Sequence, residues 1–545
     1  MDVTSLRRKL YLQVLLCGVL GFMIPVLRCV IQGLPAPSMH DEYSYLLAAD
    51  TFAQGRLSNP SPGLPLFFDA PHVLVEPTYQ SKYPPGGPLI MAFGQVVFGH
   101  PAWGIWISCG LFSAAICWMM QTFGLMRWAM LMAVLFSCVL IPKSRMGYGY
   151  MPSMLTGAAA AVFFGGLNQT LRRPIWWSTT LLSLGVVGLS VTRPYEGALL
   201  CLGCLPAFLI WILRDTRVSL AVKINNVVIP GAILIGASAV CLGTYNEAVT
   251  GSPLKLPYSL HHQQYFHRGL FVFQGNQKPT RAVCPRIDSV YQQLSKGPVS
   301  QDAFGLLKNG VKRSYTSLQS VLGMQGWPAT FLAVLVLLGF MDRRLRRYVP
   351  ALGLWFAGQS IATWHMPWYA MPVVPLVYVA LVSVIQKPLR RWRCRPLEWS
   401  NRLPAWTPWM AAVAVLVAMI WFGPAMARES SAILRKKPSI DFWKNSDNGI
   451  PDVSVASRLG LMQYLESQTG RDLVFVSYAS DYSVHDEWVY NRADLPNSEV
   501  ILAHDLGDEQ NQKLIAEYSH RTVWKLHLER SSKTLTPWRR GEPVK

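Results

Sequence analysis

Long apolar runs separated by short basic clusters constrain this chain more than any other feature of its sequence. The first run, from Tyr11 to about Gly33, directly follows Arg7, Arg8 and Lys9. It is longer than the hydrophobic region of a signal peptide, and no small-residue cleavage pattern follows it. We therefore expect an uncleaved membrane anchor whose N-terminus lies in the cytoplasm.

Further apolar runs are candidates for membrane helices, although several are shorter than the roughly 20 residues that a perpendicular crossing needs. They centre on residues 102–122, 127–142, 150–170, 175–192, 196–213, 225–248, 328–342, 349–365, 367–386 and 404–427. Only 15% of the 545 residues are charged, compared with about 25% in an ordinary soluble domain. The sequence thus predicts a mainly α-helical, polytopic membrane bundle of about 11 spans.

Basic residues indicate the orientation of the spans, because short cytoplasmic loops of membrane proteins collect Lys and Arg. If the first helix runs from inside to outside and the spans alternate, the cytoplasmic connections contain most of the basic clusters. These clusters are Arg127, Arg172–Arg173, Arg214 to Lys223, Arg343 to Arg347 and Lys387 to Arg395. No basic face carries interleaved aromatic residues, so we attribute the net charge of +20 to membrane topology and not to nucleic-acid binding.

The same alternation divides the chain into a membrane domain, residues 1–429, and an outer C-terminal domain, residues 430–545. It also places a first loop, 34–101, and a long loop, 249–327, on the outer side. Within the first loop an apolar stretch from Gly87 to Gly99 is too short to span a membrane and predicts a helix in the outer interface. The polar C-terminal segment contains a β-like run, Leu473–Tyr478, and helix-like stretches, which predict a small α/β domain.

Charged residues at the outer ends of the spans are the candidates for function, because polar groups at membrane depth are costly. Asp41 and Glu42 follow the first span, where apolar residues recur at helical spacing and indicate an amphipathic helix. Neighbouring residues on a helix point about 100° apart, so only one of these two carboxylates can face a small substrate. A general base is one interpretation, and simple stabilisation of the helix dipole is the other.

A proline- and glycine-rich turn, Ser81–Pro88, follows in the same loop and presents Lys82 and Tyr83. The turn precedes the interfacial helix, so the ammonium lies beside the exposed N–H groups of a helix N-terminus. An ammonium beside exposed N–H groups is an arrangement that can bind a phosphate. The alternative is an ordinary turn whose lysine extends toward water from an apolar surface.

Two arginines are predicted at outer helix ends, where the distribution of basic residues makes them unexpected. Arg145 lies in a segment that also contains Tyr148 and Tyr150, and Arg193 lies in the segment Thr192-Arg-Pro-Tyr-Glu196. We take both arginines as candidate phosphate ligands. Arg193 could instead form an ion pair with Glu196, three residues further on.

The last candidate segment, Thr363–Pro375, contains three prolines that bend the chain. It leaves His365 and Tyr369 at the same predicted outer rim. Either these side chains belong to the donor site, or they are part of the aromatic belt at a membrane interface.

Together these motifs resemble the GT-C glycosyltransferases over roughly residues 10–430. The similarity lies in the acidic pair after the first span, the Lys82-Tyr-Pro-Pro-Gly86 turn, the Arg193-Pro-Tyr-Glu196 turn, the late His365…Tyr369 segment and the outer tail. More narrowly, the chain resembles bacterial family 39 members related to protein O-mannosyltransferases and to the aminoarabinose transferase that modifies lipid A.

The resemblance implies transfer of a hexose or pentose from a polyprenyl-phosphate-linked donor to a hydroxyl of a protein, lipid or glycan. The reaction would be inverting and would occur on the periplasmic face of a bacterial inner membrane. Asp41, with Glu42 beside it, would be the catalytic acid pair, and Lys82 would contact the lipid phosphate together with Arg145, Arg193 and His365. Some relatives use a divalent cation, so Mg²⁺ or Mn²⁺ held by Asp41 and Glu42 is an option.

Two other classes of protein fit parts of the same pattern. A transporter or flippase for a lipid-linked or anionic substrate would also need many helices and outward-facing cations. Transporters, however, favour inverted repeats with polar groups near the membrane midplane, and no internal repeat is present in this sequence. A membrane scaffold with an outer partner-binding domain would explain the tail but not the acids and cations of the first loop.

Overall fold

The computed structural model describes residues 3–125, 128–134, 147, 149–296, 302–322, 327–393 and 458–538, most of them helical. Helices α1 to α8 are Val3–Gln32, His40–Ala53, Gly86–Phe98, Ala102–Thr122, Ser153–Thr170, Trp176–Thr192, Pro194–Arg214 and Leu220–Thr250. Helices α9 to α16 are Pro257–Tyr265, Pro285–Ser295, Ala303–Leu322, Trp327–Gly339, Val349–Ile361, Val374–Arg393, Arg458–Glu466 and Asp508–Glu517.

Four helices in the described ranges are long and apolar enough to cross a membrane, namely residues Arg8–Gln32 of α1 and helices α4, α7 and α8. All four leave large apolar side chains exposed, such as Leu15, Leu111, Leu213 and Val240, as helices in contact with lipid do. Helices α3 and α6 are apolar but shorter. Most of the predicted span 127–142 and all of 404–427 lie outside the described residues.

The membrane bundle packs tightly through small residues. Helices α5 and α6 are neighbours, and a Cβ added at Gly185 would lie 2.4 Å from the Cα of Phe163. Glycine therefore allows the two backbones to approach more closely than any other residue would. The core around this contact includes the fully buried Phe112, Phe164 and Tyr378.

The first loop folds into a small antiparallel sheet next to helix α2. Strands β1 (Asn59–Pro60) and β2 (Val73–Leu74) both pair with the central strand β3 (Thr78–Ser81). Helix α3 follows this sheet, which confirms the short helix predicted near residues 87–99. The sheet and α2 hold the two segments that carry the predicted acid and lysine.

The C-terminal segment forms the predicted α/β unit. Its sheet has the order β5-β4-β6-β7, in which β4 pairs in parallel with β5 and β6, and β7 is antiparallel to β6. The strands β4 to β7 are Asp472–Tyr478, Val500–His504, Thr522–Leu528 and Lys533–Pro537. Strand β4 contains the predicted run Leu473–Tyr478, and α15 and α16 confirm the predicted helical stretches.

The C-terminal sheet shares one hydrophobic core with the first loop. Phe67 and Phe68 pack in the same buried cluster as Phe475 and Tyr490, and the rings of Phe67 and Phe475 lie 6.1 Å apart. The long loop joins them, since Gln264 Nε2 donates to the carbonyl oxygen of Glu76 at 2.9 Å. The three predicted outer segments are therefore in contact and lie on one side of the bundle.

Basic side chains gather at the other end of the bundle. Arg172 donates to the carbonyl of Thr122 at 3.0 Å, and Arg344 donates to the carbonyl of Phe123 at 3.1 Å. These carbonyls lie at the C-terminal end of α4, where a cation complements the helix dipole. Residues predicted to be cytoplasmic thus share the end opposite to the first loop.

Candidate active site

A small cavity of about 30 Å³ lies where the first loop meets the bundle. The segments that form it are the first turn of α2, the lysine turn, the start of α7 and the chain after α13. Its lining residues are Asp41, Tyr45, His72, Lys82, Tyr83, Met151, Arg193, Trp364, Met366, Trp368 and Tyr369. Five of the residues predicted from the sequence, Asp41, Lys82, Tyr83, Arg193 and Tyr369, therefore meet at one cavity.

Asp41 is the acidic side chain of the cavity. The phenol of Tyr83 donates a hydrogen bond to Asp41 Oδ1, and His72 Nε2 lies 3.6 Å from the same oxygen. Burial raises the pKa of the Asp41 carboxyl, and the positive charges of Lys82 and Arg193 oppose this shift. A carboxylate of raised basicity, oriented by a phenol, is suited to accept a proton.

Lys82 places a buried ammonium among aromatic rings. Its Nζ lies 5.2 Å from the ring centroid of Tyr83, 4.9 Å from that of Tyr258 and 5.7 Å from that of Phe266. The side chain is only 2% exposed, and burial lowers its pKa to about 7. No acceptor in the described ranges forms a hydrogen bond or ion pair with this ammonium, and Asp41 acts on it only electrostatically, without direct contact.

Glycines fix the lysine turn against the bundle. A Cβ added at Gly86 would lie 2.7 Å from Val191 Cγ2, and one added at Gly87 would lie 2.5 Å from Pro152. Only glycine permits this approach, so the turn packs directly on the C-terminal end of α6 and the start of α5. The Pro-Pro-Gly-Gly sequence therefore determines where Lys82 lies.

Arg193 lies between α6 and α7 and faces the cavity. Its guanidinium carbon lies 4.4 Å above the ring of Tyr369, a cation–π contact. Within the described chain it forms no ion pair with Glu196, which is the pairing that its spacing had suggested. Glu196 is instead buried in α7 beside the amide of Gln359 and does not line the cavity.

Glu42 has a different position from Asp41, as the 100° rotation between neighbouring helical residues predicts. Its Oε2 accepts the backbone N–H groups of Ser38 and Met39 at 2.7 and 3.2 Å, and its Oε1 accepts that of Tyr150 at 3.0 Å. Glu42 is fully buried, and Tyr150 also donates its hydroxyl to the carbonyl of Pro35. Glu42 and Tyr150 therefore fix the position of the start of α2 on the bundle, and neither lines the cavity.

His365 also lies outside the cavity lining, although its neighbours Trp364 and Met366 belong to it. Its Nδ1 forms a hydrogen bond with Gln359 Oε1 at 2.9 Å, and its Nε2 forms one with Ser317 Oγ at 3.3 Å. Burial lowers the pKa of His365 to about 4, so the imidazole is neutral at neutral pH and supplies no cation for a phosphate. Two other predicted residues, Arg145 and Tyr148, lie outside the described residues.

His72 is a lining residue that the sequence analysis missed. Its backbone has the left-handed φ of 67°, and its N–H donates to the hydroxyl of Tyr291 at 2.9 Å. Its carbonyl accepts the hydroxyl of Ser44 at 2.6 Å. The position of His72 depends on contacts with α2 and with the long loop, and no local spacing in the sequence indicates it.

An aromatic wall of the cavity was also missed. Tyr45 stacks on Tyr83 with ring centroids 4.3 Å apart, and Trp364 and Trp368 contribute from the chain after α13. The sequence signal for Tyr45 was its helical spacing in α2, which indicated only a buried face. The wall gives the cavity rigid apolar surfaces beside its charged groups.

The described residues do not fit the divalent cation that the family resemblance raised. Both carboxylate oxygens of Glu42 accept backbone N–H groups, and Asp41 accepts the phenol of Tyr83. No group of three or more His, Cys, Asp or Glu side chains suited to a metal ion occurs in the described ranges. The chemistry proposed below therefore uses only the side chains of this chain.

The fold comparison returns membrane enzymes, with low sequence identity. One is the oligosaccharyltransferase of Archaeoglobus fulgidus in complex with Zn and sulfate, with a TM-score of 0.47 and 10% identity, covering 94% of this chain and 67% of that chain. Another is ArnT from Cupriavidus metallidurans bound to undecaprenyl phosphate, with a TM-score of 0.48 and 12% identity, covering 96% and 93%. At TM-scores below 0.5, neither likeness assigns an activity to this chain.

No family model and no curated protein sequence matches the chain. The candidate function therefore depends on the geometry of the cavity and on the motifs that form it.

Proposed function

We propose that this protein is an integral-membrane glycosyltransferase of the GT-C type that resembles family 39. It would move a sugar from a polyprenyl-phosphate-linked donor to a hydroxyl acceptor. The single observation that carries this proposal is the meeting of Asp41 with the Lys82 and Arg193 cations at one cavity. A donor that ends in a phosphate and an acceptor that must lose a proton need these two kinds of group.

The position of the cavity favours a lipid-linked donor. It lies where the first loop meets the bundle, next to helix α3, which exposes Leu89, Phe93 and Val96. An apolar helix at this level can hold a polyprenyl chain, as interfacial helices do. The phosphate would then lie at the rim of the bundle, within reach of Lys82.

In the proposed reaction the carboxylate acts as a general base, and the cations stabilise the phosphate leaving group. Asp41 accepts the proton of the acceptor hydroxyl while the hydroxyl oxygen forms a bond to the anomeric carbon of the sugar. The bond from that carbon to the phosphate oxygen breaks, and its electron pair leaves with the phosphate. Lys82 and Arg193 stabilise this negative charge, a contribution that amounts to several kcal/mol in a dry site.

The same arrangement predicts inversion at the anomeric carbon. Asp41 would hold the acceptor on the face opposite to the phosphate, so the attacking oxygen and the leaving oxygen are on opposite sides of the sugar ring. General-base assistance of this kind typically contributes about 10²- to 10⁴-fold in rate. Tyr83, which donates to Asp41 Oδ1, would orient the carboxylate.

The C-terminal domain reaches the edge of the site. Tyr490 Oη forms a hydrogen bond with His40 Nδ1 at 2.7 Å and stacks on Tyr43 with ring centroids 4.3 Å apart. Both partners lie at the start of α2, next to Asp41. We propose that this domain helps to select the acceptor, on the periplasmic side of a bacterial inner membrane.

The test is an assay with the purified full-length protein and a labelled polyprenyl-phosphate sugar, with a membrane extract as the source of acceptors. We expect release of polyprenyl phosphate and transfer of label to a hydroxyl-containing product. Uptake of the intact donor into vesicles without this chemistry would contradict the proposal and favour a transporter. The variant Asp508→Asn, in the first turn of α16, is a matched control that should retain activity.

A further inference from the structure

The bundle has a second concave surface at the end opposite to the candidate active site. Arg193 precedes α7 and Arg214 ends it, and the 21 residues of this helix correspond to a length of about 30 Å. The groove beside Arg214 has a volume of about 690 Å³. We call it the distal groove, and define it by Pro206, Ala207, Ile210, Trp211, Arg214 and Arg347.

The distal groove has an excess of positive charge. Arg214 and Arg347 have no ion pair or hydrogen bond from their side chains to any described residue. The one acid in the lining, Asp215, is already paired, because its Oδ1 accepts Arg217 Nε at 3.0 Å. Two guanidinium groups therefore face the groove without a counterion.

The negative end of the α7 dipole does not neutralise these arginines, because another cation occupies it. Lys223 Nζ donates to the backbone carbonyls of Trp211 at 3.0 Å, Ile212 at 2.9 Å and Asp215 at 2.5 Å. These are the last carbonyls of the helix, which carry its partial negative charge. The groove therefore still favours an anion.

Trp211 forms an apolar wall of the groove. Its side chain is only 6% exposed, and its indole Nε1–H, which has no hydrogen-bond partner among the described residues, also has almost no accessible surface. A ligand in the groove would therefore contact the indole ring and not this N–H.

We propose that the distal groove binds the headgroup of an anionic phospholipid. The phosphate would contact Arg214 and Arg347. The acyl chains would run along Pro206, Ala207 and Ile210, the last of which is 56% exposed. These residues belong to a candidate membrane span, so lipid is the neighbour that this surface meets. The site is independent of the proposed sugar transfer.

The test is native mass spectrometry of the purified full-length protein, titrated with phosphatidylglycerol or with phosphatidylcholine of the same chain length. We expect tighter binding of phosphatidylglycerol. The double variant Arg214→Gln/Arg347→Gln should lose about 25-fold in this affinity, at about fivefold for each arginine. Arg173→Gln, a basic control outside the groove, should lose nothing.

Three results would overturn the proposal. Equal binding of the two lipids would show that charge does not select the ligand, and unchanged binding by the double variant would place the lipid elsewhere. Full competition by millimolar inorganic phosphate would show a site for a free anion. Because sugar transfer takes place at the other end of α7, it should persist in the double variant, which also shows that this variant is folded.

Discussion

Two buried clusters of charge lie in the first loop of this protein, and they differ in how their charges are paired. In the first cluster, Asp41 accepts a phenol, and the nearest imidazole is 3.6 Å away. In the second, Asp69 accepts Arg281 Nη1 at 2.6 Å, the Tyr265 hydroxyl at 2.8 Å and the backbone N–H of Cys284 at 2.8 Å.

The cations show the same contrast. Arg281 donates both to Asp69 and to Glu76, the latter at 2.9 Å. Lys82, by comparison, is surrounded by aromatic rings and has no acidic partner within 4 Å in the described part of the chain. A closed network of hydrogen bonds stabilises a fold, whereas a buried charge without a partner leaves room for a ligand to supply it.

The comparison predicts that the two acids have separate roles, and the largest effect is expected at Asp41. The variant Asp41→Asn should lower turnover by about 10²- to 10⁴-fold, because the amide cannot accept the acceptor proton. Donor binding and thermal stability should change little. Steady-state kinetics with the labelled donor, alongside Asp508→Asn, measures this effect, and unchanged turnover would remove Asp41 from the mechanism.

For the closed network around Asp69 we expect the opposite pattern, namely a loss of stability instead of a specific loss of turnover. The variant Asp69→Asn leaves Arg281 buried without its main partner, which should lower the free energy of unfolding by about 3–5 kcal/mol. Thermal unfolding of the purified protein in detergent measures this loss. A stable Asp69→Asn protein that had lost only turnover would reverse the roles assigned to the two clusters.

A smaller effect, on the donor, is expected at Lys82. The variant Lys82→Met keeps an unbranched apolar side chain but removes the charge, and it should weaken donor binding by about 10- to 100-fold, the usual value of a hydrogen bond to a charged group. Equilibrium binding of polyprenyl phosphate measures this directly. If the affinity were unaltered, the lysine would serve only the structure of the turn.

Donor affinity should also depend on pH through Lys82. Its pKa is lowered to about 7, so the ammonium is present below pH 7 and is lost as the pH rises above it. We expect donor binding to weaken as the pH rises above about 7, by at most about tenfold for each pH unit, until it reaches the 10- to 100-fold loss expected for Lys82→Met. Several titratable or charged groups lie near this ammonium and interact with it electrostatically or through their rings. They are Asp41, Arg193, His72, His261, Tyr83 and Tyr258.

A conservative variant distinguishes the titration of Lys82 from the titration of those neighbouring groups. Lys82→Arg keeps its charge at every pH in this range, so its donor binding should not fall with pH. The same pH dependence in wild type and Lys82→Arg would assign the titration to another group.

The smallest effect is expected at Tyr83. Tyr83→Phe keeps the ring that stacks on Tyr45 and removes the hydrogen bond to Asp41. Because the phenol orients the carboxylate and does not carry the transferred proton, turnover should fall by only about two- to tenfold, less than the full value of a hydrogen bond to a charged group. A loss as large as that of Asp41→Asn would mean that the phenol itself takes part in proton transfer.

The sequence predicted the elements of the fold better than their contacts. Apolar runs and their spacing were enough for helices such as Ala102–Thr122 and for strand Asp472–Tyr478. The shared core of the first loop and the C-terminal sheet could not be predicted, because it joins Phe67 to Phe475 across 400 residues. Residue patterns report local periodicity, and tertiary packing decides which elements meet.

The candidate site shows the same limit. Asp41 was selected because it follows the first span on a predicted amphipathic helix, and Lys82 because it lies in a proline- and glycine-rich turn before a helix. The helical rotation between neighbours explains why Glu42 lies elsewhere. His72 has no such signal, since its position depends on a left-handed backbone held by Tyr291 of the long loop. His365 was selected from its place in the sequence, but Gln359 and Ser317 hold its ring away from the cavity.

The most direct test of the central claim is an experimental structure of the full-length protein with bound polyprenyl phosphate. We predict that the phosphate lies within about 3 Å of Lys82 Nζ and of the Arg193 guanidinium, with the Asp41 carboxylate across the space left for the sugar. A phosphate bound at another surface, with no anion beside Lys82, would contradict the account.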